Sequence, residues 1–206
     1  MESCFVTGIG TGIGKTIFSA ILAQRLGADY WKPVQCGSLE HTDTMMVQSL
    51  VSHPDSKFHP EKYLLKKPAS PHDAAEEEGR RLVLGEICLP KTPNCIVIEG
   101  AGGILVPLNE NELMIDLIKK FESKVIVVCS NYLGSINHSL MTFRVLENAG
   151  MKASGLVFMG EANPKSEEII QKISRVKCIG KIPWVKSIDQ EFVQKSAETL
   201  NLDVIL

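Results

Sequence analysis

Short apolar runs alternate along this chain with longer stretches whose apolar residues recur every three or four positions. The first kind reads as strands buried on both faces, the second as helices with one buried side. Cys4-Phe5-Val6-Thr7 is the first run, and Phe18, Ile21, Leu22 and Leu26 mark the helix after it. Tyr30 to Val34 reads as a second strand, with Pro33 holding Lys32 extended. Thr42 or Asp43 then caps a helix carrying Val47, Leu50 and Val51 on one face. Residues 52–70 are polar and proline-bearing and read as an irregular surface excursion. Ala74 to Gly79 predicts an acidic helix, with a further helix up to about Cys88. Cys95 to Ile98 and Val125 to Val128 are buried-strand patterns, separated by a helix over Leu113 to Phe121. Another helix carries Ile136, Leu140, Phe143 and Leu146 and closes at Gly150. The rest predicts a strand at Gly155 to Phe158, a helix around Ile169 to Ile173, a short strand at Cys178-Ile179 and a helix from Asp189 to Leu200. This order predicts one α/β domain over residues 1–206, a mostly parallel β-sheet with helices on both faces. Ligands on such a sheet bind beyond the carboxyl ends of its strands.

Composition narrows the class. A formal net charge of −2 gives no basic footprint for nucleic acid or an anionic membrane surface. No apolar run approaches the ~20 residues of a membrane helix, and the first strand begins almost at the N-terminus, leaving no room for a signal peptide. The cysteines are scattered without paired spacing, and Cys4, Cys95 and Cys129 lie in apolar strands, as buried reduced thiols do. A cytoplasmic protein without nucleic-acid or membrane partners is the expectation. His41, His53 and His59 lack the tight spacing of a metal site.

The chemistry concentrates at the strand ends. Between the first strand and helix lies Gly8-Ile9-Gly10-Thr11-Gly12-Ile13-Gly14-Lys15-Thr16, with five residues between Gly8 and Gly14 where the common P-loop has four. Such a turn aims backbone N–H groups at an anion, and the helix N-terminus adds partial positive charge. Lys15 would reach the outer phosphates of a nucleotide and Thr16 would ligate Mg²⁺. The fold expected is therefore P-loop NTPase-like. Glu99 follows four apolar strand residues at the binding edge, where a buried carboxylate needs a partner or a metal. Thr16, Asp43 and Glu99 supply the hard oxygens that Mg²⁺ requires. Two of these candidates have bland readings: Lys32 alone reads as a lysine snorkelling to solvent, and Asp43 as a helix cap.

The whole set resembles the dethiobiotin synthetase family. The resemblance is carried by Phe5 to Thr16 with its five-residue gap, Lys32-Pro33-Val34, Asp43 before a helix, and Ala69-Ser70-Pro71-His72. It continues through Val97 to Gly103 with Pro107-Leu108, then Leu133 to His138, and Gly180 to Trp184, all in family order. It implies ATP-dependent carboxylation and ring closure of 7,8-diaminononanoate with CO₂, giving dethiobiotin, ADP and phosphate. A substrate amine captures CO₂ as a carbamate, the carbamate attacks the γ-phosphate, and the second amine closes the ring on the resulting carbamic–phosphoric anhydride. The resemblance also implies roles. Lys15 and Lys32 are catalytic. Nucleotide contacts fall to Gly10, Thr11, Gly12, Ile13, Gly14, Lys15, Thr16, Glu99, Gly100, Ala101, Gly102, Pro183, Trp184 and Val185. Substrate contacts fall to Thr11, Lys32, Cys36, Ser135 and Asn137, the last two at a homodimer interface.

Three positions depart from the family pattern: Gly12 replaces an acidic contact to the substrate amines, Cys36 a frequent Ser, and Met159-Gly160 an Asn-Asp pair that reads the base. The last predicts relaxed base selectivity, with CTP or GTP within about tenfold of ATP, because Met and Gly offer no bidentate fork. A partition or cell-division switch ATPase is the competing class, but its P-loop carries an additional lysine where this chain has Gly10. A cobyrinate-type amide synthase would need a glutaminase domain for which the chain is too short.

Overall fold

Seven strands form one sheet in the order β4-β2-β6-β1-β7-β8-β9, and every pairing in it is parallel. They are β1 (Ser3–Gly8), β2 (Asp29–Trp31), β4 (Phe58–His59), β6 (Ile96–Glu99), β7 (Lys124–Ser130), β8 (Ala153–Met159) and β9 (Cys178–Ile182). The structure is a computed structural model and describes residues 3–203. The helices are α1 (Lys15–Leu26), α2 (Asp43–Leu50), α3 (Pro71–Glu77), α4 (Met114–Phe121), α5 (Ser135–Asn148), α6 (Pro164–Ser174) and α7 (Gln190–Glu198).

Strand alternation divides the core in two. Cys4, Val6, Ile126, Val128 and Val157 pack with α1, α2 and α7 on one face. Phe5, Val125, Val127, Leu156 and Phe158 pack with α3, α4, α5 and α6 on the other. Continuous apolar runs such as Val125 to Val128 are thus explained, since each neighbour in the run faces a different helical layer.

Some boundaries differ from the pattern reading. The Tyr30–Val34 run is two strands, because Pro33 lacks the N–H a ladder needs. Its second half, β3 (Val34–Cys36), pairs with β5 (Tyr63–Leu65) in a separate two-stranded sheet. Residues 52–70 therefore hold two short strands rather than an irregular excursion. The helix expected up to Cys88 is only a 3₁₀ turn at Leu84–Glu86. Cys95 is half-buried, unlike the buried Cys4 and Cys129.

Candidate active site

The carboxyl ends of β1, β2 and β6 open into a cleft of about 710 Å³. Its floor is the P-loop. Gly14 ends the loop at φ 96°, a left-handed conformation, and a Cβ there would meet Met159 Cε at 2.9 Å. That backbone turn sets the α1 N-terminus at the cleft, and among the described residues no side chain caps it. The first-turn N–H groups are thereby left for an anion. Lys15 is buried, and its ammonium donates to the Gly10 carbonyl at 2.7 Å. Burial lowers its pKa to about 8, against the opposing pull of Glu99 and Asp43.

Beside the loop, one buried network joins residues from four elements. Glu99, 1 % exposed at the end of β6, accepts from Thr16 Oγ1 at 2.9 Å and Lys32 Nζ at 3.0 Å on Oε1. Its Oε2 accepts from the Tyr30 hydroxyl at 2.9 Å. Lys32 also donates to Asp43. Thr42, not Asp43, caps α2, its hydroxyl accepting from Met45 N–H at 3.2 Å, so the Asp43 carboxylate is free for the lysine. Burial alone would depress the Lys32 pKa, but Glu99 and Asp43 outweigh it and raise it. Lys32 is 6 % exposed, so the snorkelling reading is overturned: two carboxylates hold the ammonium inside.

Cys36 lines the same cleft as a neutral thiol, burial pushing its pKa up to about 11. Ala69, Ser70, Pro71 and Trp184 also line the cleft. The Trp184 indole lies over Gly160, where a Cβ would come within 2.4 Å of Nε1. Met159 is buried and packs toward Gly14. Neither Met159 nor Gly160 has a side chain that could make a bidentate pair with a base.

The expected residues are not all gathered. Thr11, Gly12, Gly14, Lys15, Thr16, Ala101 and Gly102 line the cleft with Lys32, Asp43 and Glu99. Ile13 turns its side chain into the core. Gly10 lines a second, apolar cavity of about 400 Å³ between the P-loop and α5. Gly100, Pro183 and Val185 do not line the main cleft, and Ser135 and Asn137 stand outside it on α5. Tyr30 was missed, as was Gln35, whose Oε1 accepts from the Asp43 N–H at 3.3 Å. The available signal for Tyr30 was its two-residue spacing from Lys32, which places both on one strand face.

The donors fit Mg²⁺. Among the described residues no trio of His, Cys, Asp or Glu forms a protein-only cation cage. A hydroxyl and two carboxylates beside a phosphate cradle match an ion that binds through one or two carboxylates, phosphates and water.

The AAA domain family profile matches residues 2–192. Two curated relatives are named ATP-dependent dethiobiotin synthetase. The one from Christiangramia forsetii is 46 % identical over 197 residues, 96 % of this chain and 95 % of its own. The one from Cytophaga hutchinsonii is 46 % identical over 201 residues, 97 % of each. Among solved structures, a plasmid partition protein from Borrelia burgdorferi bound to AMPPNP superposes with a TM-score of 0.61 at 11 % identity, over 98 % of this chain and 97 % of that one. The septum site-determining protein MinD from Pyrococcus horikoshii, complexed with Mg-ADP, gives 0.56 at 15 %, over 96 % and 94 %. At such identities the structural likeness shows the fold alone.

Proposed function

We propose a division of catalytic labour for a chain that belongs to the ATP-dependent dethiobiotin synthetase family. The reaction converts 7,8-diaminononanoate, CO₂ and ATP to dethiobiotin, ADP and phosphate. The observation that carries the assignment is the Lys32–Asp43–Glu99–Thr16 network beside the P-loop, with Lys32 and Glu99 buried at its centre. Phosphoryl transfer asks for positioning and charge neutralisation rather than covalent help. Lys32, held as a cation by two carboxylates, is suited to neutralise the carbamate and the charge that grows on the transferred phosphoryl group. Lys15 leaves the Gly10 carbonyl for the β,γ-phosphates. Cys36, a neutral thiol, donates weakly to substrate and is no nucleophile near pH 7. When bound, Mg²⁺ would offset the negative charge of the nucleotide's outer phosphates. Thr16, Asp43 and Glu99 are the donors we assign to it, Thr16 directing its proton to Glu99 and keeping oxygen lone pairs for the ion.

We further infer one domain with one such site and a cytoplasmic location, which cell fractionation checks. Among the described residues no helix is long and apolar enough to cross a membrane.

One assay tests the enzyme reading and the base expectation together. ATP turnover should depend on both diaminononanoate and bicarbonate, with little basal turnover, whereas a switch ATPase would hydrolyse ATP without them. In the same assay CTP or GTP should support kcat/KM within about tenfold of ATP, since Met159 and Gly160 offer no fork to adenine. An ATP preference above roughly a hundredfold would mean that another group reads the base.

A homodimer is part of the same reading. Leu133 is fully exposed at the turn before α5, beside exposed Tyr132, Ile136 and Met141 and near the apolar cavity. Among the described residues no side chain caps α5, and its N-terminus is suited to hold the substrate's distal carboxylate. Sedimentation equilibrium should give a dimer at assay concentrations. Leu133→Asp should raise its Kd at least about a hundredfold, the ~3 kcal/mol of an unpaired buried charge. A parent monomer with full activity would remove the dimer.

A further inference from the structure

The two oxygens of Glu99 face different surroundings. Oε1 meets Thr16 and Lys32, both of which line the cleft. Among the described residues Oε2 meets only the hydroxyl of Tyr30, which is fully buried and forms no part of the cleft wall. Strand geometry produces this division. Tyr30 pairs with Val97 across β2 and β6, and alternation sends Tyr30 to the face shared by Val97 while Trp31 turns to the other core. The phenol thus reaches the end of β6 from the interior side.

We propose that Tyr30 is a positioning residue: its hydroxyl anchors Glu99 Oε2 so that Oε1 is aimed at Thr16, and this sets how tightly a divalent cation couples to nucleotide in the cleft. The inference rests on the metal assignment made above. The last torsion of a glutamate is broad and two-fold, so the backbone alone does not choose which oxygen faces the cleft. Thr16 and Lys32 both bind Oε1 and leave the carboxylate a hinge about that oxygen. The Tyr30 hydroxyl closes the hinge. Without it, Oε2 would be a buried carboxylate oxygen with no donor, and the group would turn to share Lys32 or Thr16 between both oxygens. The ring of Tyr30 packs among Val6, Val97 and the α1 side chains in the same core, so phenylalanine would keep the packing and lose only the anchor.

The test compares the full-length parent with Tyr30→Phe by calorimetric titration of ADP, once in EDTA and once with Mg²⁺. The variant should bind ADP in EDTA within about twofold of the parent. The gain in ADP affinity that Mg²⁺ confers should shrink about tenfold, and the Mg²⁺ concentration for half-maximal turnover should rise by a similar factor, as happens when an outer-sphere partner is lost. A merely structural tyrosine would shift melting temperature and leave the Mg²⁺ gain untouched, and that result overturns the proposal while the metal assignment stands. A parent whose ADP affinity ignores Mg²⁺ would take down the metal assignment and this inference with it. If Tyr30→Phe does not fold, 3-fluorotyrosine in the parent decides. The chain has three tyrosines, and Tyr63→Phe and Tyr132→Phe assign the resonances. The Tyr30 signal should move when Mg²⁺ joins the ADP complex, and an unmoved signal refutes the anchor.

Discussion

Lys32→Gln and Lys15→Gln will each lower kcat by about 10²–10³, the loss of one preorganised donor worth roughly 3–4 kcal/mol. Their binding behaviour should differ. Lys32 is fixed between Asp43 and Glu99 beside the P-loop, so its loss strikes the transferred group and leaves ADP affinity near that of the parent. On the assignment proposed above Lys15 meets the nucleotide itself, so its loss should weaken ADP binding as well. The two also separate by pH. Burial lowers the Lys15 pKa to about 8, and phosphates bound beside it would raise that value again. Binding therefore takes up a proton once pH exceeds about 8. ADP affinity should be flat below that point and fall as pH rises through it, and Lys15→Gln should lose this dependence. Steady-state kinetics and titrations of the two variants between pH 6.5 and 9 on the order of half-unit steps measure all of this, the lower limit set by the ~6.5 pKa of histidine. A variant within threefold of the parent rate would show that the lysine in question has another role.

The layered fold was legible in the chain because every long strand is buried on both faces, so β1, β7 and β8 appear as uninterrupted apolar runs. The P-loop and Glu99 were legible for a related reason: glycines before Lys15 and a carboxylate after Ile98 both interrupt such runs at the binding edge. The two-stranded sheet was not. β5 has three residues and β3 three, too few to display a period; the start of β3 was absorbed into the Tyr30–Val34 run, and β5 lies in the polar, proline-bearing 52–70 stretch. Lys32 was also misjudged when read alone. Its partners lie 11 and 67 residues away, and no local pattern reports a pairing over that separation. The family resemblance named Lys32 as a site residue, and the structure does put it in the cleft, but it could not supply Tyr30, which enters the site only through a hydroxyl whose destination depends on the register of β2 against β6. The same limit applied to Ser135 and Asn137, which the chain alone leaves outside the main cleft.

The largest stability effect should come from breaking the Lys32–Glu99 pair one partner at a time. Glu99→Leu leaves a buried ammonium facing Asp43 alone, and strands the hydroxyl protons of Thr16 and Tyr30 that Glu99 accepted. Lys32→Met leaves a buried carboxylate with two hydroxyl donors and no cation hydrogen-bonded to it, Lys15 acting on it only at longer range. Removing one partner of a buried pair costs about 3–5 kcal/mol, because the other charge is left uncompensated. For a chain of this size that is a fall in Tm of roughly 6–20 °C, taking 2–4 °C per kcal/mol. The double variant Lys32→Met/Glu99→Leu leaves neither charge behind. It should be more stable than either single variant, although the orphaned Tyr30 hydroxyl still costs about 1–3 kcal/mol. Its coupling energy should exceed about 2 kcal/mol, far outside the ~0.5 kcal/mol within which independent sites add. Thermal melts in EDTA without nucleotide isolate the pair from any stabilisation by ligand. All three variants should be nearly inactive, so a double variant as stable as the parent would show that the pair is held for catalysis and not for the fold. Additive losses would mean that Lys32 and Glu99 are each satisfied by other groups, and the reading of the two as one coupled pair would fail.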